Sequence, residues 1–241
     1  MLFEYSIKRF DEVLREVWDS REIKKSLEKH NFALAFSHQI EDVIALDMLL
    51  QTHFFKENSK FFEAFTLDTK KLFKESLEHQ EAVEKHFGIK IKSYSSPLIE
   101  LERIEKELGE YGMRDSLQKR KKCCYVRKIL PLQSALEDKI LWISGIRIAQ
   151  SITRSDTKLL ENDDNFGLYK VNPLFDWEDS MLWEYVSFRG IPQNALYKKG
   201  FLSIGCTPCT RAVEQGEDIR AGRWWWESAD HKECGLHRKD K

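Results

Sequence analysis

The sequence predicts an α/β fold: a doubly wound, mostly parallel sheet that continues into a C-terminal tail. Three observations lead there. Short apolar runs recur along the first 190 residues, each followed by a polar turn. The stretches between them carry apolar residues at helical spacing, and parallel strands need helical crossovers of that length. After residue 190 the periodicity fades into a glycine-, charge- and aromatic-rich segment. Alternating strands and helices pack as a sheet with helices on both faces.

The elements follow in order. Residues 1–30 form a helical segment whose stripe of Phe3, Ile7, Phe10, Val13, Leu14 and Val17 reads as a packing face. An α/β domain spans 31–190. It opens with the strand "FALAF" (32–36), the turn "SHQIED" and the helix "VIALDMLLQ". "FFEAFTL" is a second strand, and "DTKKLFKESLEHQEAVEKHFG" a helix stopped by Gly88. "IKIKSY" (89–94) alternates as a strand does; "LIELERIEKELGEYG" is a helix and "ILWISG" (140–145) a buried strand. "NPLFDWEDSMLWEYVSFRGIP" is a helix with Asp176 as N-cap and Gly190 and Pro192 at its end, its tryptophans assigned to the core. Residues 191–241 form the C-terminal segment.

In such sheets ligands lie beyond the carboxyl ends of the strands. Three loops qualify: "SHQIED", "LDTKK" and "SGIRIAQSITR". Ser37 leads into a helix whose first N–H groups could hold a phosphate. The loop has no glycine, and an ordinary helix cap accounts for it equally well.

Lysine plus arginine (39) balances aspartate plus glutamate (40), which argues against a nucleic-acid-binding surface. No apolar run is long enough to span a bilayer, and the charged N-terminus lacks the form of a secretory signal. The expected compartment is the cytoplasm, with no membrane partner. There disulfides are disfavoured, so the five cysteines call for another explanation. Four fall in two pairs, Cys123–Cys124 and Cys206–Cys209. Structural zinc prefers C-x-x-C at both ends, which the adjacent pair does not match. A dithiol at C-T-P-C would leave the first pair without a role. An iron–sulfur cluster uses all four thiolates, although spacing alone leaves zinc open. Lys121, Lys122, Arg127, Lys128 and Arg211 would offset its negative charge, or else form a solvated helix face. Lys128 stands four residues after Cys124, where one helical turn shares a face. The fifth cysteine, Cys234, lies in "HKECGLHRKDK", among His231, Lys232, His237 and Arg238, a setting that favours a nucleophilic thiolate over a buried structural thiol.

These stretches resemble the assimilatory adenylyl-sulfate reductases, relatives of the phosphoadenylyl-sulfate reductases. The resemblance runs through "LDT", "CCYVRKILPL", "SGIRIAQSITR", "KVNPLFDW", "IGCTPCTRAVEQGEDIRAGRWWWE" and "KECGLH". It implies an adenine nucleotide alpha hydrolase-like fold and a 4Fe-4S cluster on Cys123, Cys124, Cys206 and Cys209. It further implies that Cys234 attacks the sulfur of adenosine 5′-phosphosulfate, releasing AMP and leaving an S-sulfocysteine. Thioredoxin or a similar dithiol would then release sulfite. By the same resemblance Lys128, Arg220 and Arg223 hold the sulfate and phosphate oxygens. Ser37, Leu67, Thr69, Gly145 and Arg147 belong to the nucleotide-binding loops, with His237 beside the substrate. Relatives often have a small residue or glycine near His38 and Gln39, and glycine is usual at Lys70; His38 reads as a loop residue rather than a base. "RWWWE" could dock the tail or pack as core. The rival substrate is phosphoadenylyl sulfate; the rival class is a non-catalytic zinc- or nucleic-acid-binding module. The sequence leaves room for a homo-oligomer.

Overall fold

The computed structural model describes residues 2–20 and 31–228; the expectations for Cys234 and His237 lie outside these. The chain runs α1 (Leu2–Asp19), β1 (Asn31–Ala35), α2 (Ile40–Gln51), α3 (His53–Asn58), β2 (Phe62–Leu67), α4 (Lys74–Phe87), β3 (Ile91–Tyr94) and α5 (Leu98–Leu108). It continues with α6 (Leu117–Cys124), a π-helical turn (Tyr125–Ile129), α7 (Leu130–Leu136), β4 (Lys139–Ile143), β5 (Leu160–Asp163), β6 (Leu168–Val171) and α8 (Asp179–Arg189).

The six strands are ordered β3-β2-β1-β4-β6-β5, all parallel except the edge strand β5, which runs antiparallel to β6. Alternate residues of the central strands face opposite layers, as a pleated strand requires. Phe32, Leu34, Leu141 and Ile143 pack in the larger core with Phe10, Leu14 and Val17 of α1, with α2 and with α8. Ala33 and Trp142 face the other side, against Leu132, Ala135 and Leu136 of α7. The doubly wound sheet and the packing role of the N-terminal stripe are as the sequence predicts.

Two local expectations change. Asp176 does not cap α8, which begins after Glu178 without a side-chain cap. Its carboxylate is instead taken by Arg9 in a two-pronged ion pair at 2.7 and 2.8 Å. The hairpin β5–β6 is an addition, closed at Gly167, which sits at φ 64°. The stop at Gly88 holds: it caps α4 in the left-handed region at φ 67°.

A third core is separate from the other two. Leu101, Ile104 and Leu108 of α5 pack with Cys123, Cys124, Val126, Cys209 and Trp224. It lies where the C-terminal segment folds back onto α6.

Candidate active site

The strand order reverses between β1 and β4, and the crevice beyond their carboxyl ends is where such sheets bind ligands. A cleft enclosing about 1010 Å³, part of it open to solvent, lies there. Ser37, Leu67, Thr69, Gly145, Lys128, Arg220 and Arg223 all line it, so the three loops, the π turn and the C-terminal segment meet there.

One carboxylate joins two of these loops. Asp42 Oδ2 accepts from the Ser37 amide at 2.6 Å and the Ser37 hydroxyl at 2.5 Å. The Gly145 amide donates to the same carboxyl group. A Cβ on Gly145 would stand 2.5 Å from Asp42 Oδ1, so only glycine allows this approach. Burial pushes the Asp42 pKa up to about 7, against the pull of the Ser37 hydrogen bonds. The Ile40 amide donates to the Tyr197 hydroxyl at 2.8 Å. Three donors that a phosphate could have used on "SHQIED" thus serve the fold instead.

His38 and Lys70 both adopt positive φ, 67° and 57°. At or near these positions the resemblance leads one to expect glycine or a small residue, and the backbone conformation explains that preference. His38 is buried, contacts Thr66 Oγ1 through Nε2 at 3.0 Å, and is pushed down to about 4 by burial with His79 nearby. It is a neutral loop residue.

Arg147 departs from expectation. It is 1% exposed; its guanidinium binds Glu41 at 3.0 Å, Asp179 at 2.6 Å and the Trp177 carbonyl at 2.8 Å. It ties α2 to α8 and does not line the cleft. Arg154, from the same loop, does line it. Sequence reading passed over Arg154 and Asp42: Arg154 was readable as a second cation in "SGIRIAQSITR", whereas the Asp42–Gly145 contact has no local signal.

Arg220 and Arg223 are 8% and 5% exposed, not solubilising surface arginines. Successive turns bring them together: the Arg220 amide donates to Asp218 Oδ1, and the Arg223 amide to the Arg220 carbonyl at 2.9 Å. The Arg223 guanidinium donates to the Ile204 carbonyl at 2.9 Å and lies flat on Gly205, where a Cβ would meet it at 2.5 Å.

Behind the cleft lies a second cavity of about 420 Å³, again partly open, lined by Cys123, Cys124, Cys206 and Cys209. The two cavities share a wall made of Lys128, Cys206, Arg223 and Trp224. None of the four cysteines is in a disulfide. Among the described residues no group of three or more His, Cys, Asp or Glu side chains is set to hold a single metal ion. Burial raises the Cys123 thiol and pushes Cys209 up to about 12. Arg120, Arg127, Lys128 and Arg223 surround them. Cys206 Sγ lies 3.3 Å from Thr69 Oγ1, linking the thiols to the "LDT" loop. Trp224 is buried core at this cavity.

Fold and site together define an α/β domain with a basic, nucleotide-sized cleft at its switch point, backed by a four-thiol cavity. The chain belongs to the phosphoadenosine phosphosulfate reductase domain family, which residues 31–212 match. It is 43% identical over 196 residues to the adenosine 5′-phosphosulfate reductase of Allochromatium vinosum, covering 81% of this chain and 76% of that one. It is 42% identical to that of Rhizobium tropici, over 71% of this chain and 95% of the relative. Among solved structures, a phosphoadenylyl-sulfate reductase from Candida auris in a phosphate complex superposes with TM-score 0.62 at 20% identity, covering 86% and 96% of the two chains. A Campylobacter jejuni NAD synthetase superposes at 0.53, with 13% identity over 82% and 78%. At these identities the superpositions speak for the fold. No helix among the described residues is long and apolar enough to cross a membrane.

Proposed function

We propose that the protein is an oxidoreductase of assimilatory sulfate reduction that converts adenosine 5′-phosphosulfate to sulfite and AMP. The observation that carries this is the wall of Lys128, Cys206, Arg223 and Trp224 common to the anion cleft and the thiol cavity. The names of the relatives at 42–44% identity supply the substrate.

The cleft binds the nucleotide across the switch point, with Ser37, Leu67, Thr69 and Gly145 along its sides. Lys128, with the buried Arg220 and Arg223, neutralises the phosphate and sulfate oxygens, fixed cations acting more strongly where protein replaces part of the solvent. Cys234, as thiolate, attacks the sulfur; the new S–S bond forms as the S–O bond to AMP breaks, and AMP leaves with the electron pair. His237 is assigned to substrate binding in the same reading. Thioredoxin or a similar dithiol then attacks the cysteine sulfur, releasing sulfite as a mixed disulfide forms. Its second thiol resolves that disulfide and restores Cys234.

The four thiols suit a 4Fe-4S cluster: two chain segments contribute donors to one cavity, and Lys128 and Arg223 on its wall would help balance an anionic group, Arg120 and Arg127 being paired with Glu227 and Glu105. Such a group would deprotonate the thiols and bring negative charge close to the cleft wall. Reduced thiols and a dithiol co-substrate suit the cytoplasm.

Sulfite release measured with each nucleotide tests the reading. A higher kcat/KM for adenosine 5′-phosphosulfate is expected; preference for its 3′-phosphorylated analogue would replace the substrate assignment. Without reductant, the wild-type protein should gain one SO₃, about 80 Da, on the peptide holding Cys234. Cys234→Ser should abolish both the adduct and sulfite formation while keeping iron and nucleotide affinity. An adduct on Cys206 or Cys209 would overturn the mechanism.

A further inference from the structure

Arg120 has no place in the chemistry above, yet it is completely buried. Its Nε and Nη2 donate to Glu227 Oε1 and Oε2 at 2.9 and 2.8 Å, in a pair whose side chains are 0% and 8% exposed. The same guanidinium stacks 4.6 Å from the Trp224 ring centroid and reaches the Cys124 thiol. Trp224 itself is held at φ 40°, a backbone region that bulky residues avoid. Its amide donates to the Cys209 carbonyl at 3.1 Å, and its carbonyl accepts from the Glu227 amide at 2.8 Å.

A buried ion pair is weak evidence for stability, because well-packed apolar residues of similar volume often serve as well or better. What a two-pronged guanidinium–carboxylate pair contributes is a defined geometry. The place where this geometry is imposed is informative. Arg120 lies three residues before Cys123, on the helix that carries the first thiol pair, and Glu227 lies seven residues before Cys234. Arg223 keeps its own anchors, at Ser203, the Ile204 carbonyl and the face of Gly205, and meets the pair only through the Trp224 ring, on which both guanidiniums stack at 4.6 Å.

We propose that the Arg120–Glu227 pair is a positioning device that sets where the segment carrying Cys234 leaves the fold, relative to the thiol cavity and the cleft. The proposal rests on the function assigned above. It makes Arg120 and Glu227 positioning residues rather than catalytic ones.

The test is the paired replacement Arg120→Met with Glu227→Leu, alongside Glu227→Gln. The single variant leaves a buried guanidinium without its anion and is expected to lower the melting temperature. The double variant removes both charges and should keep thermal stability and AMP affinity within roughly twofold of wild type; because Arg120 also reaches the Cys124 thiol, adduct rates are compared per iron bound. Single-turnover formation of the Cys234 adduct should nevertheless fall by about tenfold or more, a loss of orientation seen in kcat and not in KM. Trypsin should also cut after Lys232 several-fold faster in the double variant than in wild type. A double variant that forms the adduct at the wild-type rate, or whose loss simply follows lost iron or lost AMP affinity, overturns the proposal. If wild-type protein forms no adduct on Cys234, the assigned function falls, and the tryptic arm decides alone: faster cleavage supports a positioning pair, and unchanged cleavage refutes it.

Discussion

His38 and His79 lie under the cleft, buried at 2% and 3% exposure, and burial pushes both down to about 4. Both are neutral in the fold, while the unfolded chain protonates them near their ordinary 6.5. Their contribution to stability is fully present above pH 6.5 and is lost progressively as pH falls toward about 4. Asp42 acts the other way. Its folded value is raised from 3.8 to about 7, so the fold holds a proton that the unfolded chain releases, and stability falls as pH rises through that window. Between pH 4 and 6.5 two histidines oppose one aspartate, and these groups together favour the fold as pH rises. Above 6.5 Asp42 acts alone and the trend reverses. Denaturant midpoints measured against pH should therefore peak near pH 6.5, and His79→Leu should flatten the acid limb, each proton being worth about 1.4 kcal/mol per pH unit. An unchanged acid limb in that variant would mean His79 is charged in the fold. Of the residues involved, His38 was readable as a loop residue from its motif. The coupling of Asp42 to Ser37 and Gly145 was not, because Gly145 comes from the loop after β4, 103 positions further along the chain.

The helix carrying Cys123 and Cys124 widens into a π turn, and the cause can be followed atom by atom. In an α-helix the Val126 carbonyl would accept from Leu130 and the Arg127 carbonyl from residue 131. Pro131 has no N–H, and its ring crowds the Arg127 carbonyl. The Leu130 amide turns instead to the Tyr125 carbonyl, and the Val126 carbonyl is taken by the Ser96 hydroxyl. π turns of this sort are frequent at functional sites, and here the turn places Lys128 on the wall between both cavities. Pro131→Ala should restore α-helical bonding, keep or raise the melting temperature, and rotate Lys128 away from the wall. Affinity for AMP should then fall by about tenfold, as for one lost charge-assisted contact. Unchanged affinity in a stable variant would refute the link between π turn and cation. The proline was legible in "CCYVRKILPL"; Ser96, which takes the Val126 carbonyl from thirty residues away, was not. The hairpin β5–β6 escaped for another reason. "LEND" at the sheet edge is charged, as edge strands often are, and so lacks the apolar signature by which inner strands are read.

At the scale of the whole molecule the core is divided. The sheet is closed by two apolar clusters, while the third, around α5, the four cysteines and Trp224, stands apart and owes three of its nine buried members to cysteine. Such a cluster is small, and it surrounds a cavity lined by thiols and cations instead of filling it with side chains. A group bound there only in the folded state adds stability by mass action, and that stability is local to the elements it joins. Their sequence separation, 82 positions from Cys124 to Cys206, let the pairing be inferred from residue type but gave no hint that this region would form a unit of its own. Protein purified without oxygen should carry about four irons per chain, and Cys209→Ala should lose most of them. Hydrogen exchange should then separate the two parts of the molecule. Removing iron should strip protection from residues 117–129 and 206–227, whose packing converges on the cavity. The amides of β1 and β4, enclosed by the two sheet cores, should exchange as slowly as before. Nucleotide affinity should weaken but survive, because Ser37, Leu67 and Gly145 are held by the sheet while Lys128 and Arg223 lean on the third cluster. A uniform loss of protection across both regions would show that the fold is one cooperative unit and that the thiol cavity supports the whole of it.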